Sequence, residues 1–306
     1  MLKTSGLRVA TRALSPTSGF LHFTHTLNPY VGCQYGCRFC YVRGLTPHRV
    51  RTNQTGEDWG TYVEAKVNAP ELLRKEMRSL RRRGKPVSIF LSSATDPYQG
   101  TEALFNVTRQ CLEVLAEEPA DAIVLQTRSP LVARDIELFQ RVPNLLVSIT
   151  IETDDDDLRR RFAPRAPRLG KRHTAISEVG AAGVPTQVAA APMLPCEPER
   201  FVDWILETSA DRYVVDTFTS GEGSYCRRSI AFGVPELLAE AGYPEWWGNE
   251  KGREVHALLV ERVGPERVFW SSDGFNEPTA GQGDVEAPGD AAASEPVASE
   301  SASSAP

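Results

Sequence analysis

The chain has 306 residues, of which 41% are hydrophobic and 24% charged, with 23 Gly, 22 Pro and 6 Cys. This composition is typical of a globular protein and excludes a collagen, a coiled coil and a small disulfide-stabilised domain. The sequence has no apolar run of about 18 residues, the length that crosses a membrane. Its basic N-terminus has no apolar segment before a cleavage site, so we expect a cytoplasmic protein with no membrane partner.

The net charge of −6 comes from the end of the chain. Residues 277–306 carry six of the 40 acidic side chains and no Lys or Arg, so the remaining 34 acids balance the 34 basic residues. This segment also lacks aromatic residues, Leu, Ile and Met, and cannot bury enough apolar area to offset the entropy lost on ordering. We predict a disordered acidic tail at 277–306, a folded domain with C-terminal helices at 20–276, and an irregular arm at 1–19.

Strands and helices alternate along the folded part. Apolar or β-branched runs bounded by Gly, Pro, Asn or Asp predict six strands, at residues 20–26, 87–91, 122–127, 145–151, 184–191 and 212–218. Helical patterns follow them at residues 70–83, 102–117, 131–142, 154–162, 171–182 and 199–208. Strands that are apolar on both faces and joined by helices predict an α/β fold with a parallel sheet, here a partial (β/α)6 barrel. Its active site is expected at the carboxyl ends of the strands.

A cysteine-rich loop follows the first predicted strand. Cys33, Cys37 and Cys40 form a CxxxCxxC pattern, and a glycine precedes each of the first two. A structural zinc or a closed cluster usually has four protein ligands, whereas the next cysteine, Cys111, comes 71 residues later. Three ligands on a four-iron cube leave one iron free for a substrate or cofactor. The pattern therefore favours a reactive [4Fe-4S] centre, and disulfides are not expected in a reducing compartment.

These residues resemble the radical S-adenosylmethionine (SAM) superfamily, in which an aromatic residue, here Phe39, precedes the last cysteine. The segment 28–43, with residues 93–98 and 163–167, is similar to the bacterial branch related to spore photoproduct lyase, often described as DNA repair photolyase-like. The resemblance implies a [4Fe-4S] cluster and SAM as cofactors, and an electron donor such as flavodoxin or ferredoxin as a partner. It further implies cleavage of SAM to a 5′-deoxyadenosyl radical that abstracts hydrogen from an unidentified substrate.

The resemblance also implies roles for individual residues. Cys33, Cys37 and Cys40 are expected to ligate the cluster. Thr95 and Asp96 stand where the superfamily has a Gly-Gly-Glu-like segment that holds the SAM amino group. The residues expected to contact SAM are Phe39 at the adenine, Thr95 and Asp96, Ser148 and Thr150 at the ribose and carboxylate, and Arg165 at the carboxylate.

The catalytic residue itself is not identified by the sequence. Cys196 and Cys226 follow predicted strands and could donate a hydrogen atom to a product radical, although either could be an ordinary loop cysteine. The lyase branch is expected to carry a hydrogen-donor cysteine near residues 93–95, and this chain has none there. That absence argues against cleavage of spore photoproduct.

A basic segment bears on the substrate. Residues 159–172 contain seven Lys or Arg and no acid, a density that could follow the phosphates of a nucleic acid. Two alternatives stay open. One is a non-catalytic zinc or iron-sulfur module that binds nucleic acid, with the three cysteines and one further His or Cys as ligands. The other is a radical enzyme acting on a peptide or protein side chain, for which the basic segment is irrelevant.

Overall fold

The computed structural model describes residues 4–17, 21–45, 48, 59–220 and 226–276. The predicted tail at 277–306 lies outside these residues. The strands are β1 (Thr4–Arg8), β2 (Leu14–Pro16), β3 (His25–Leu27), β4 (Tyr30–Val31), β5 (Tyr62–Lys66), β6 (Ser88–Leu91), β7 (Ala122–Thr127), β8 (Leu145–Thr150), β9 (Thr186–Ala190), β10 (Arg212–Val215) and β11 (Val268–Trp270).

Helices connect and cover the strands. The α-helices are α1 (Ala69–Arg82), α2 (Glu102–Phe105), α3 (Val107–Glu117), α4 (Ile136–Phe139), α5 (Asp156–Phe162), α6 (Leu169–Ala181), α7 (Pro198–Leu206), α8 (Arg227–Ala231), α9 (Val234–Ala241), α10 (Glu250–Val263) and α11 (Ser272–Asn276). Short 3-10 turns lie at Tyr41–Gly44, Pro130–Asp135, Pro244–Trp247 and Pro265–Arg267. Over the described residues, no helix has both the length and the apolar character needed to cross a bilayer.

The main sheet confirms the predicted α/β class. Its strand order is β11-β10-β9-β8-β7-β6-β3-β2, and within the described chain every neighbouring pair is parallel except β2 with β3. The six predicted strands correspond to β3 and β6 to β10, each followed by helical structure before the next. The sequence missed the three-residue strand β11, which extends the parallel sheet beyond the sixth unit.

The first residues differ from the predicted irregular arm. Strand β1 pairs in parallel with β5, which also pairs antiparallel with β4, so these three strands form a small second sheet. Strand β2 pairs with β3 at the edge of the main sheet. The partner of β1 begins at Tyr62, and pairing over such a separation leaves little signal in the local sequence.

Two predicted helices are interrupted. The stretch 102–117 divides at Asn106, whose φ of 52° lies in the left-handed region, where asparagine is tolerated better than most residues. The stretch 131–142 is a 3-10 turn followed by α4. Both changes occur beside the loops that leave the carboxyl ends of β6 and β7, so they shape the site described next.

The core has two apolar layers. The larger one fills the space between the sheet and its helices, and includes Ile89 and Leu91 of β6. The smaller one lies on the opposite face of the sheet, and we call it the inner layer. It consists of Phe23, Phe90, Val124, Leu146, Ala189, Val214 and Phe275. Alternate residues of a strand face opposite sides, which explains why Phe90 belongs to the second layer. This inner layer borders the cavity at the carboxyl ends of the strands.

Candidate active site

The cysteine loop is held in place by its backbone. Gly32 has a φ of 85°, and a Cβ atom there would stand 2.3 Å from the carbonyl oxygen of Tyr62. Only glycine therefore fits before Cys33. The backbone N–H of Gln34 donates to the side-chain oxygen of Gln99 at 2.8 Å, and that of Arg38 donates to the carbonyl of Phe162 at 2.8 Å. The loop is thus attached both to the segment after β6 and to the end of α5.

The three thiols of this loop line one cavity of about 600 Å³. Cys33 and Cys37 are buried and Cys40 is half-buried. Burial raises the pKa of all three; proximity to Asp96 and then Cys37 adds to the rise for Cys33, and proximity to Cys37 carries the pKa of Cys40 to about 12. A metal that replaces the protons removes this penalty, because thiolates are its ligands.

The three thiols do not form a single-ion site as they stand. In the part of the chain that the structure describes, no group of three His, Cys, Asp or Glu side chains is arranged to hold a metal ion. Tetrahedral zinc needs four ligands around a single atom. The alternative of a zinc module therefore needs ligands that the described residues do not bring together.

The wall of the cavity contains unpaired polar atoms. Among the described residues, four that line it each have a buried side-chain atom with no hydrogen-bond partner: Trp59 Nε1, Ser92 Oγ, Gln126 Oε1 and Arg128 Nε. An unsatisfied buried polar atom costs about 1–3 kcal/mol. Donors and acceptors are both present, so the wall fits a ligand that carries acceptors and donors of its own.

Thr95 and Asp96 both line the cavity, but their side chains are occupied. The Thr95 hydroxyl donates to the carbonyl of Gly32 and accepts from Gln99 at 3.1 Å. The Asp96 carboxylate accepts from the Thr127 hydroxyl at 2.7 Å and from the backbone N–H groups of Arg128 at 2.7 Å and Tyr98 at 2.9 Å. Burial raises the pKa of Asp96, and these hydrogen bonds oppose the rise. Both side chains hold the loops after β6 and β7 against the cysteine loop.

The polar pair predicted on the fourth strand is divided by the structure. Thr150 lines the cavity, and its hydroxyl accepts from the Gln126 amide at 2.7 Å, which orients that amide toward the cavity. Ser148 is fully buried below it and accepts from Gln187 at 3.0 Å. Ser148 is not part of the cavity wall.

The cavity wall contains Arg128 and not Arg165, which the sequence led us to expect there. Arg165 does not line the cavity; its guanidinium donates to the carbonyl of Gly60 and lies over Gly36 on the other side of the cysteine loop. Arg128 lines the cavity instead, donates to the carbonyl of Ala191 at 3.0 Å, and lies with its Cζ 5.5 Å from the centre of the Phe39 ring. The predicted carboxylate contact of Arg165 is therefore not supported, because the loop separates it from the cavity.

Phe39 itself is buried and lines the cavity, as its predicted contact with a cofactor requires. The two cysteines considered as hydrogen donors do not line it in the described structure. Cys196 is half-buried against the larger core layer. Cys226 is half-buried, and its thiol lies 3.7 Å from the carbonyl oxygen of Thr219.

The cavity residues that sequence reasoning missed include Trp59, Gln126, Arg128 and Asp216. Asp216 follows β10, and its carboxylate accepts from the Ser220 hydroxyl at 2.9 Å and the Thr217 N–H at 3.0 Å. Burial raises the pKa of Asp216 to about 6. Gln126, Arg128 and Asp216 lie at or just after the carboxyl ends of predicted strands, so the rule that locates active sites there could have found them. Trp59 had no such signal.

The comparison with protein families agrees with this site. A model of the radical SAM superfamily matches residues 27–226, from β3 to the start of α8. The match covers more than half of the chain, and the chain belongs to the radical SAM superfamily. This superfamily uses a [4Fe-4S] cluster and SAM.

Three relatives illustrate what the chain resembles in sequence, and two of them are uncharacterized. The chain is 30% identical over 171 residues to an uncharacterized protein of Methanocaldococcus jannaschii, covering 56% of this chain and 61% of that protein. It is 32% identical over 184 residues to an uncharacterized protein of Mycobacterium tuberculosis, covering 59% and 52%. A radical SAM Nalpha-GlyT isomerase of a Pseudomonas phage is 26% identical over 255 residues, covering 83% and 46%. The chain thus spans less than two thirds of each of these relatives.

Among solved structures, the fold is similar to spore photoproduct lyase complexed with dinucleoside spore photoproduct. The TM-score is 0.62 at 13% identity, covering 87% of this chain and 81% of that chain. The lyase with bound AdoMet and dinucleoside spore photoproduct gives a TM-score of 0.61 at 12% identity, covering 87% and 80%. At this low sequence identity, the structural similarity shows a shared fold alone.

Proposed function

We propose that Cys33, Cys37 and Cys40 hold the cluster of this radical SAM enzyme, and that the adjoining cavity binds SAM. The observation that carries the proposal is that one cavity is lined by the three cysteines and by four residues that each have an unpaired buried polar atom. Bound there, a reduced cluster would supply one electron to the sulfonium of SAM, and cleavage of its carbon–sulfur bond would release methionine and provide a 5′-deoxyadenosyl radical for hydrogen abstraction from the substrate.

The chain's own residues orient the ligand and exclude water. Arg128 offers an unpaired N–H to a carboxylate, and Gln126 offers an unpaired oxygen to an amino group or hydroxyl. Phe39 provides a flat apolar surface for a ring. The inner apolar layer continues the wall through Phe90 and Phe275 and keeps water from a reactive carbon radical.

Nucleic acid is the substrate class that we propose. Two observations support it: the fold is that of a lyase solved with a dinucleoside, and the cavity wall includes Arg228 beside the aromatic Tyr41, a combination suited to a phosphate and a base. Because residues 93–95 contain no cysteine, we expect no return of spore photoproduct to thymine. A peptide is the competing substrate class.

The cluster assignment is tested with Cys40→Ala. Anaerobically reconstituted wild-type protein should hold about four irons and four sulfides per chain and release 5′-deoxyadenosine when reduced with SAM. Cys40→Ala should lose the iron and this activity but keep its circular dichroism spectrum, because the loop lies outside the packed sheet. Cys196→Ala is the matched control and should keep both. Retention of iron and SAM cleavage by Cys40→Ala would show that the ligand assignment is wrong.

The substrate class is tested on the reconstituted enzyme with SAM deuterated at the 5′ position and with unlabelled DNA or peptide. Single-stranded DNA should stimulate 5′-deoxyadenosine release, and reversible abstraction should exchange deuterium with the DNA. Stimulation by a peptide library in place of DNA would favour the competing class.

A further inference from the structure

The basic segment 159–172 lies directly behind the cysteine loop. Two of its arginines are internal: Arg172 forms a fully buried ion pair with Glu152 at 2.6 Å, and Arg159 donates to the carbonyls of Ala163 and Ala166. The other basic residues of the segment are exposed; Arg160 pairs with Asp157, and Arg161 and Arg165 each donate to a backbone carbonyl. The hydrogen bond from the Arg38 N–H to the Phe162 carbonyl joins this segment to the loop.

Four exposed side chains surround this junction, and we call them the outer basic face: Arg38, Arg161, Arg165 and Arg168. Arg165 lies over Gly36 of the loop. Arg168 follows Pro167, which lines a small groove together with Arg165. The face therefore covers the side of the loop that is turned away from the cavity.

The groove and the cavity share one wall residue among those that the structure describes. Tyr35, located between Cys33 and Cys37 in sequence, is buried and lines both. A redox group docked in the groove would therefore lie against the loop that carries the cysteines. The substrate cavity offers no such approach once SAM and substrate fill it.

The outer basic face is poorly placed to hold a nucleic acid substrate. None of its four arginines lines the cavity in the described structure. A nucleotide entering the cavity would instead meet Arg228 and Tyr41, which do line it. A positive face beside a buried redox centre, but outside the substrate cavity, matches a partner that delivers electrons.

We propose that the outer basic face is the docking surface for an acidic, low-potential, one-electron donor protein that carries a flavin or an iron-sulfur cluster. The proposal rests on the cluster assignment above. In each docking event, the reduced donor loses one electron and the oxidised cluster gains it; no atom is transferred. Charge complementarity sets the rate and orientation of the encounter, so the interaction should weaken as salt increases.

The test is the double charge reversal R38E/R168E in the reconstituted holoenzyme. Both side chains are exposed, and neither forms part of the cavity wall. The matched control is R82E/R83E. These exposed residues are at the end of α1, before β6, and therefore at the amino ends of the strands.

Binding of an acidic flavodoxin is measured by calorimetry at low and high salt. R38E/R168E should raise the dissociation constant for flavodoxin by at least about tenfold at low salt, whereas R82E/R83E should leave it unchanged. At high salt the two variants should bind flavodoxin equally. In stopped-flow experiments, reduction of the cluster by reduced flavodoxin should slow in proportion, while SAM cleavage driven by dithionite stays unchanged.

Two results would overturn the proposal. One is equal flavodoxin affinity in R38E/R168E and R82E/R83E. The other is lost affinity for a DNA duplex with unchanged flavodoxin binding, which would make the face a nucleic-acid surface. A wild-type protein that binds no cluster would instead refute the proposed function, so the two failures are distinguishable.

Discussion

Arg128 is the residue whose position most changes the view of the cofactor site. Its buried guanidinium has one unpaired nitrogen in the cavity wall. We expect Arg128→Gln to weaken SAM binding by about tenfold or more, because a charge-assisted hydrogen bond is worth about 1.5–3 kcal/mol. Iron content should be retained, and SAM affinity is measured by equilibrium dialysis.

Arg165→Gln is the control for this prediction. Its side chain donates to the carbonyl of Gly60 and lies over Gly36 of the cysteine loop, so the substitution should lower cluster loading but leave the SAM affinity of loaded protein unchanged. The reverse pattern, with SAM affinity lost only in Arg165→Gln, would restore the assignment expected from the sequence.

Asp216 gives a prediction for the pH dependence of stability. Burial raises its folded pKa from 3.8 to about 6, so the folded state binds the proton more tightly than the unfolded chain. The contribution to stability is present below the unfolded pKa and is lost as the pH rises through the folded pKa. The stability of Asp216→Asn relative to wild type should therefore rise as the pH increases from the unfolded to the folded pKa. Above the folded pKa the gain should level off at up to about 3 kcal/mol.

Urea unfolding at a series of pH values measures this difference. Asp203→Asn is the control, because Asp203 is exposed and pairs with Arg262 at the surface. A stability difference between Asp216→Asn and wild type that does not change with pH would contradict the raised pKa of Asp216.

At the level of elements, Glu102 joins three of them. Its buried carboxylate accepts from the N–H groups of Thr108 at 2.9 Å and Arg109 at 3.1 Å, so Glu102, the first residue of α2, caps the start of α3. It also accepts from the Tyr30 hydroxyl, just before the cysteine loop, and pairs with Arg134 at 3.1 Å. The cap of α3 is thus coupled to the start of the loop.

Glu102→Gln should lower the free energy of unfolding by about 2–4 kcal/mol, because the amide replaces a paired charge and turns hydrogens toward backbone donors. Glu113→Gln on the exposed side of α3 should change it by less than about 0.5 kcal/mol. Both are measured by urea denaturation. Equal effects in the two variants would exclude the proposed cap.

The predictability of the elements follows from where their signals lie. The strands of a buried parallel sheet are nearly continuous apolar runs, so β7 and β8 are evident in the sequence. Strand β11 has three residues and depends on β10 for its pairing. The break at Asn106 is invisible because its neighbours on both sides favour helix. A local pattern could not reveal features that depend on partners distant in the chain.

The site divides in the same way. The spacing of Cys33, Cys37 and Cys40 is local, and it was sufficient to predict a cluster loop with an aromatic neighbour. The choice between Arg128 and Arg165 is not local, since it depends on which side of the folded loop each guanidinium reaches. Thr95 and Asp96 line the cavity, and their contact with SAM stays a prediction; the hydrogen bonds that occupy both side chains appear only in the fold.

For the whole molecule, the cavity depends on the last described helix. Phe275 of α11 lines it and packs in the inner layer, with its ring 6.3 Å from that of Phe90. Phe275→Ala should lower the free energy of unfolding by about 3–5 kcal/mol and enlarge the cavity. Phe275→Leu should cost less, because it retains most of the volume. Urea unfolding measures the stability of both variants. A Phe275→Ala variant as stable as wild type would contradict the packing of α11 in the core.

The span of chain that lines the cavity has a consequence for biosynthesis. Pro16 and Phe275 both contribute to it, so the enclosure closes only after α11 has left the ribosome. Before α11 packs, one side of this wall is missing, and we expect an iron-sulfur scaffold protein to reach the three thiols more easily than afterwards. Inserting the metal centre first is therefore the order that we expect during biosynthesis.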